Sequence, residues 1–266
     1  MSSQNCAPMD LLKKHRPRRL ADKFEGLNAE VNRYLARAIA TNKLPRLIAF
    51  TGPAGTGKGT SARILGRRHV CQNKDRHPYD PCLECPACRS LDGLAGAILY
   101  SDDGYTEFDA TSLSGEVILK YMERDSAYNT LSGNEHLFVI DELTRNHTGV
   151  QDRLLRFVEN TRSLVIITTI DRNSILEPLL NRFTHLVLRP PTRPQIVAGL
   201  IRIARDEGFI LQPDAAELVC RNRANNPREC VDVLGTAIGA ADGEIIDSVV
   251  VKTTLEIRGL TDPDCD

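Results

Sequence analysis

The stretch Thr51-Gly52-Pro53-Ala54-Gly55-Thr56-Gly57-Lys58-Gly59-Thr60 constrains the fold of this chain more than any other. It follows an apolar run, LIAFTG at 47–52, and opens a helical pattern at 59–69. Strand, glycine-rich loop and helix in that order make a phosphate-binding loop within an α/β sheet. Gly52, Gly55 and Gly57 let the backbone turn so that successive N–H groups converge, and the helix N-terminus adds its partial positive charge. Lys58 is expected to reach the outer phosphate oxygens. The common form of the loop continues with Ser or Thr, whose hydroxyl binds Mg²⁺. Here Gly59 follows the lysine, and the hydroxyl comes one place later on Thr60.

Further apolar runs bounded by turn signals read as buried parallel strands: 105–110, 136–142, 164–170 and 184–190. Segments 28–41, 59–69, 116–125, 149–160 and 174–181 have the length and composition of crossover helices, so the pattern predicts a doubly wound α/β sheet. After Arg189 the prolines Pro190, Pro191 and Pro194 interrupt the chain, and the rest to about Ala240 reads as three helices. The expected organisation is a nucleotide-binding domain over 1–189, a small helical domain over 190–240 and a tail over 241–266. The tail holds one apolar run, IIDSVVV, and its polar end is expected to be loose.

Two further features carry chemistry. HLFVIDEL at 136–143 is an apolar strand closing in two carboxylates, which are costly to bury without purpose. Asp141 is placed to hold Mg²⁺ through water and Glu142 to polarise the water attacking a terminal phosphate. Of the eight cysteines, Cys71, Cys82, Cys85 and Cys88 crowd into one insert at 69–91 with metal-ligand spacing. Four thiolates suit a closed tetrahedral Zn²⁺ site of structural kind, with His69 or His77 as alternative ligands. Free thiols and an iron–sulfur cluster are the competing readings.

Composition bounds the partners. Lys+Arg 34 against Asp+Glu 35 gives a net charge of -1, so any nucleic-acid contact must come from local patches. Candidates are Lys13, Lys14, Arg16, Arg18 and Arg19 near the start, and Arg145, Arg153 and Arg156 after the acidic strand. Trp is absent and aromatics are 5%, which argues against base stacking as the main recognition device. No apolar stretch has membrane-spanning length and no signal peptide opens the chain, so a cytoplasmic protein is expected.

With these motifs assembled, the chain resembles the motor subunits of bacterial DNA clamp loaders, the gamma/tau type of DNA polymerase III, within the AAA+ ATPases. The resemblance runs from about Leu11 to Leu260. It takes in HRPRRLADKFEGLNAEV, the glycine-rich loop, the four cysteines, YTEFDATS, VIDEL, IITTI, the Asn-Arg-Phe arginine Arg182 and the arginine Arg228 of NPREC. It implies that ATP is held by residues 52–60 and that Asp141 and Glu142 act on it with Mg²⁺. Thr169 or Thr168 becomes a first sensor, Arg182 a finger reaching a neighbour's ATP, and Arg228 a second sensor. Phe24 to Leu27 would lie near the adenine. The small helical domain becomes a lid. Implied partners are other clamp-loader subunits in an oligomer, a sliding clamp and primed DNA.

The chain departs from that pattern in three places. Gly59 stands where the family has Thr, the finger motif reads Asn-Arg-Phe instead of Ser-Arg-Cys, and the sequence stops where a helical collar would begin. Two other readings follow. One is a scaffold subunit that binds nucleotide without hydrolysing it. The other is a nucleoside monophosphate kinase, whose loop also reads Lys-Gly-Thr.

Overall fold

The computed structural model describes residues 11–23, 27–92, 96–128, 130, 133, 135–144, 148–223 and 225–260. In chain order the elements are α1 (Leu11–Lys14), α2 (Ala29–Ala40), β1 (Leu47–Thr51), α3 (Lys58–Val70), α4 (Pro86–Ser90), β2 (Ile98–Ser101) and β3 (Tyr105–Asp109). There follow α5 (Gly115–Ser126), β4 (Leu137–Asp141), α6 (Thr148–Asn160), β5 (Leu164–Thr169), α7 (Glu177–Leu180) and β6 (Thr184–Val187). The remainder is α8 (Arg193–Asp206), β7 (Ile210–Leu211), α9 (Pro213–Asn222), α10 (Pro227–Ala240), β8 (Ile245–Ile246) and α11 (Ser248–Ile257). The chain divides into two compact units, residues 17–22 with 28–189, and residues 1–16, 23–27 and 190–266. Among the described residues, no helix is long and apolar enough to cross a membrane.

The first unit is built on a six-stranded sheet of order β2-β3-β4-β5-β1-β6. All neighbours run parallel except β2, which is antiparallel to β3 at the edge. Side chains alternate between the two faces along each strand. Ile48, Phe50, Leu137, Val139 and Ile166 join Ala62, Ile64 and Leu65 of α3 and Leu35 of α2 in one core. Their chain neighbours Ala49, Phe138, Ile140, Val165 and Ile167 face Ile118, Leu119 and Met122 of α5 and Leu154 and Val158 of α6. The strands are apolar on both faces because helices cover both.

Gly52 and Gly66 stand where another element approaches too closely for a side chain. A Cβ on Gly52 would stand 2.1 Å from the Leu188 carbonyl oxygen, and one on Gly66 would stand 2.1 Å from the Tyr105 ring. Tyr105 has little room to yield, since it is buried and its hydroxyl donates to Glu107 Oε2 at 2.5 Å. Gly66→Ala is therefore expected to destabilise the protein by about 2 kcal/mol, overpacking outweighing the ~1 kcal/mol that alanine gains in a helix. Denaturant titration checks this; a variant as stable as the native protein would show that the ring can move aside.

The second unit is mostly helical. Ile196, Leu200 and Ile203 of α8, Ala216 and Val219 of α9, Val233, Leu234 and Ala237 of α10, and Val251 and Leu255 of α11 share one core with Leu11. Helix starts follow their capping signals: Thr192 with Gln195 at α8, Asn226 before Pro227 at α10, and Asp247 accepting from two N–H groups at α11.

Three expectations change here. The 98–101 strand was not anticipated. The helix expected over 174–181 is confined to Glu177–Leu180, because Pro178 fits only in a first turn. Residues 245–257 are ordered, with β8 pairing β7 and α11 packing into the core, so this part of the tail belongs to the helical unit. The polar end at 261–266 lies outside the described residues.

Candidate functional site

The loop between β1 and α3 turns through three left-handed glycines, Gly52 at φ 144°, Gly55 at 77° and Gly57 at 87°. Within it Thr56 Oγ1 donates to the Pro53 carbonyl at 2.9 Å. Ser61 Oγ closes the first helical turn onto the Gly57 carbonyl at 2.8 Å. Lys58, the first residue of α3, is 5% exposed. Its ammonium donates to the Gly52 and Pro53 carbonyls at 2.8 and 3.0 Å and lies 4.0 Å from a Glu142 carboxylate oxygen. A cation held this way beside a glycine-rich loop at a helix N-terminus suits a polyphosphate.

The acids stand two strands away, at the end of β4. Alternation decides which side chains meet. Asp141 shares a face with Val139, toward α3, and on β5 the residue with that phase is Thr168. Thr168 Oγ1 accordingly donates to Asp141 Oδ1 at 2.5 Å and accepts the Glu142 N–H at 3.0 Å. Glu142 itself is left-handed, φ 59°. A non-glycine residue in that region carries about 1 kcal/mol of strain, which the Thr168 bond helps to hold.

Thr169, named first from the sequence as sensor, points to the opposite face of the sheet. Its hydroxyl donates to the Asp171 carbonyl at 3.1 Å and pairs with Ser174 Oγ at 2.9 Å. The alternative, Thr168, is the residue at the acids, and the phase of Ile166 in LVIITT identifies it.

Gly59 follows Lys58 on α3 and faces Asp141, so that a Cβ there would lie 3.3 Å from each carboxylate oxygen. Beside this cluster is a pair that sequence reasoning missed. Arg63, one turn further along α3, donates to buried Glu107 on β3 through Nε at 2.7 Å and Nη2 at 2.6 Å. Burial opposes the charge on Arg63, but the Glu107 bonds outweigh it and raise its pKa. The pair ties α3 to the sheet.

Cys71 follows α3 directly and Cys85 caps α4. The four sulfurs of Cys71, Cys82, Cys85 and Cys88 are buried and lie within 4.8 Å of one another, all as free cysteines. Cys82 and Cys88 are 3.9 Å apart at sulfur, close to the ~3.8 Å edge of a tetrahedron with Zn–S bonds of about 2.3 Å. Cys82 Sγ also accepts the Glu84 and Cys85 N–H groups at 3.4 and 3.3 Å. These sulfurs fit a structural Zn²⁺ with no open position. His69 is turned away, its Nε2 2.5 Å from the Glu135 carbonyl, and among the described residues only the four cysteines gather into such a group.

The knuckle also anchors its surroundings. Arg67 of α3 bonds the Cys88 carbonyl at 2.7 Å and Asp92 at 2.8 Å. Leu20 N donates to Asp80 at 2.7 Å, and Arg19 to the Cys82 carbonyl at 3.3 Å.

The remaining candidates lie on other elements. Arg182 pairs with Glu159 at 2.8 Å on the surface. Arg228 lies in the first turn of α10, in the helical unit, its N–H capped by Asn226 at 3.2 Å. Phe24 and Arg145 fall outside the described residues. Of the basic residues proposed for nucleic acid, Arg153 is paired with Glu116 and Glu123, Lys14 with Glu207 and Arg18 with Asp92.

The fold is similar to that of the RuvB Holliday junction branch migration motor of Thermotoga maritima, with a TM-score of 0.66, 15% identity, and 94% of this chain and 75% of that one covered. By sequence the chain is 28% identical over 257 residues to the DNA polymerase III subunit gamma/tau of Mycobacterium tuberculosis. That match spans 96% of this chain but 42% of the relative. It is 26% identical over 252 residues to the Replication factor C small subunit 1 of Pyrobaculum arsenaticum, covering 92% of this chain and 66% of the relative. The family described as DNA polymerase III, delta subunit, matches residues 27–192, which include the whole six-stranded sheet and the glycine-rich loop. The chain belongs to that family.

Proposed function

We propose that this chain is an ATP-binding subunit of a DNA sliding-clamp loader, coupling ATP binding and hydrolysis to placing a clamp on primed DNA. One observation carries the reading: Lys58, Asp141, Glu142 and Thr168 converge at the strand ends beside the glycine-rich loop. The relatives named gamma/tau and replication factor C supply the replication context.

In this reading the N–H groups of residues 52–60 and the Lys58 ammonium bind phosphate oxygens. Glu142 takes the proton of the attacking water, and Thr168 keeps Asp141 and Glu142 in register. Asp141 would hold Mg²⁺, which when bound neutralises charge on the phosphates. Arg182, beside edge strand β6, serves a neighbouring subunit's nucleotide, and Arg228 with the helical unit acts as sensor and lid. The four cysteines hold Zn²⁺ as a structural ion. Other loader subunits and a clamp are the partners.

The test is steady-state ATP hydrolysis by zinc-replete protein, with and without primed DNA, beside Lys58→Ala. DNA-stimulated turnover that falls at least ~100-fold in the variant is expected, as for loss of a charged phosphate ligand. Gly59 favours a second reading, a scaffold that holds nucleotide without turning it over. ATP binding with no turnover under any condition would establish that reading instead, and phosphoryl transfer to a nucleoside monophosphate would overturn both.

A further inference from the structure

In phosphate loops of this kind the residue after the lysine brings a hydroxyl to the metal. Here that place is a notch. Gly59 presents only its backbone to Asp141, and the space where its Cβ would stand is equally near both carboxylate oxygens, 3.3 Å from each. The carboxylate is not free to rotate, since Oδ1 takes the Thr168 hydroxyl at 2.5 Å. Thr60 offers no substitute at this spot, because one residue along an α-helix turns the side chain by about 100°.

Resting on the nucleotide-binding reading above, we infer that Gly59 sets the metal-binding mode of the site: it leaves Asp141 as the protein's direct ligand to the cation that accompanies the nucleotide, in place of a helix hydroxyl. Carboxylate oxygens suit Mg²⁺, which is ordinarily bound through one or two of them together with substrate phosphates. The notch is what lets one approach without an intervening side chain. A hydroxyl at position 59 would take over that role, and a methyl group would only obstruct it.

The experiment is equilibrium binding of ADP by calorimetry in Mg²⁺ and in EDTA, the ratio of the two Kd values giving the metal-dependent gain. It is measured for the native protein, Asp141→Asn, Gly59→Ala, Gly59→Ser and Gly59→Thr, and for each Gly59 variant combined with Asp141→Asn. In the native background Asp141→Asn is expected to lower the gain by about tenfold, and in the Ser or Thr background by about threefold or less, a coupling of the size neighbouring residues show. Gly59→Ala alone is expected to lower the gain without replacing it. Unfolding temperatures identify any variant that fails to fold, and Ser serves where Thr is too large.

An equal effect of Asp141→Asn in every background would overturn the inference and leave the nucleotide reading intact. Failure of the native protein to bind ADP in either condition would overturn the nucleotide reading and this inference with it.

Discussion

Glu142→Gln is expected to keep ATP affinity within about threefold of the native protein while lowering turnover by about 10²–10⁴-fold, the usual contribution of a positioned general base. The amide preserves the size of the side chain and the left-handed backbone, whose N–H stays bonded to Thr168. What it removes is the ability to accept a proton. Glu142 is also within 4.0 Å of the Lys58 ammonium, so loss of its charge leaves that cation more available to phosphate and works against any loss of affinity. Binding by fluorescence titration and turnover by phosphate release separate the two. Turnover unchanged in the variant would remove Glu142 from its role.

Stripping the cysteine knuckle is expected to have the other large effect, on stability. The native protein should carry one Zn²⁺, and the double variant Cys82→Ser with Cys85→Ser should carry none. Structural Zn²⁺ contributes roughly 10–16 kcal/mol in isolated finger peptides, most of it consumed in ordering the loop that binds it. A net loss of about 3 kcal/mol would lower Tm by roughly 10 °C for a protein of this size. The loss should extend beyond the knuckle, because Cys71 continues α3 and Arg67 is tied to Cys88 and Asp92. Weaker nucleotide binding should therefore accompany metal removal. Metal analysis, thermal unfolding and ADP titration after chelation check this; one unchanged Tm with and without metal would show that the thiols pack adequately alone.

The parallel core was legible because β1, β4 and β5 are short, uninterrupted apolar runs, a pattern that few environments other than a sheet covered on both faces accommodate. Strand β2 was not, since ILYS alternates only weakly and follows glycines. The Asp102-Asp103-Gly104 turn before β3, with Gly104 at φ 98°, was the available signal for a hairpin. Helix α11 was read as part of a tail because IIDSVVV shows no helical period. Asp247 two residues before its valines was the overlooked cap.

At the site, residue types and spacing pointed to Lys58, Asp141 and Glu142, which carry obvious charge. Thr168 was separated from Thr169 only by counting phase along β5. The bond between Arg63 and Glu107 joins elements far apart in sequence, so no local pattern announces it.

The sheet order has a consequence for what the site can accept. Because β5 lies between β1 and β4, the ends of those two strands are held about 10 Å apart, twice the ~4.8 Å between neighbouring strands. That width is set by the backbone pairing of β5 on both sides and not by side chains. The strand ends form a gauge of constant span, which the loop after β1 crosses to bring Lys58 of α3 within 4.0 Å of Glu142, so that adjustment is left to side-chain length and to the missing side chain at Gly59.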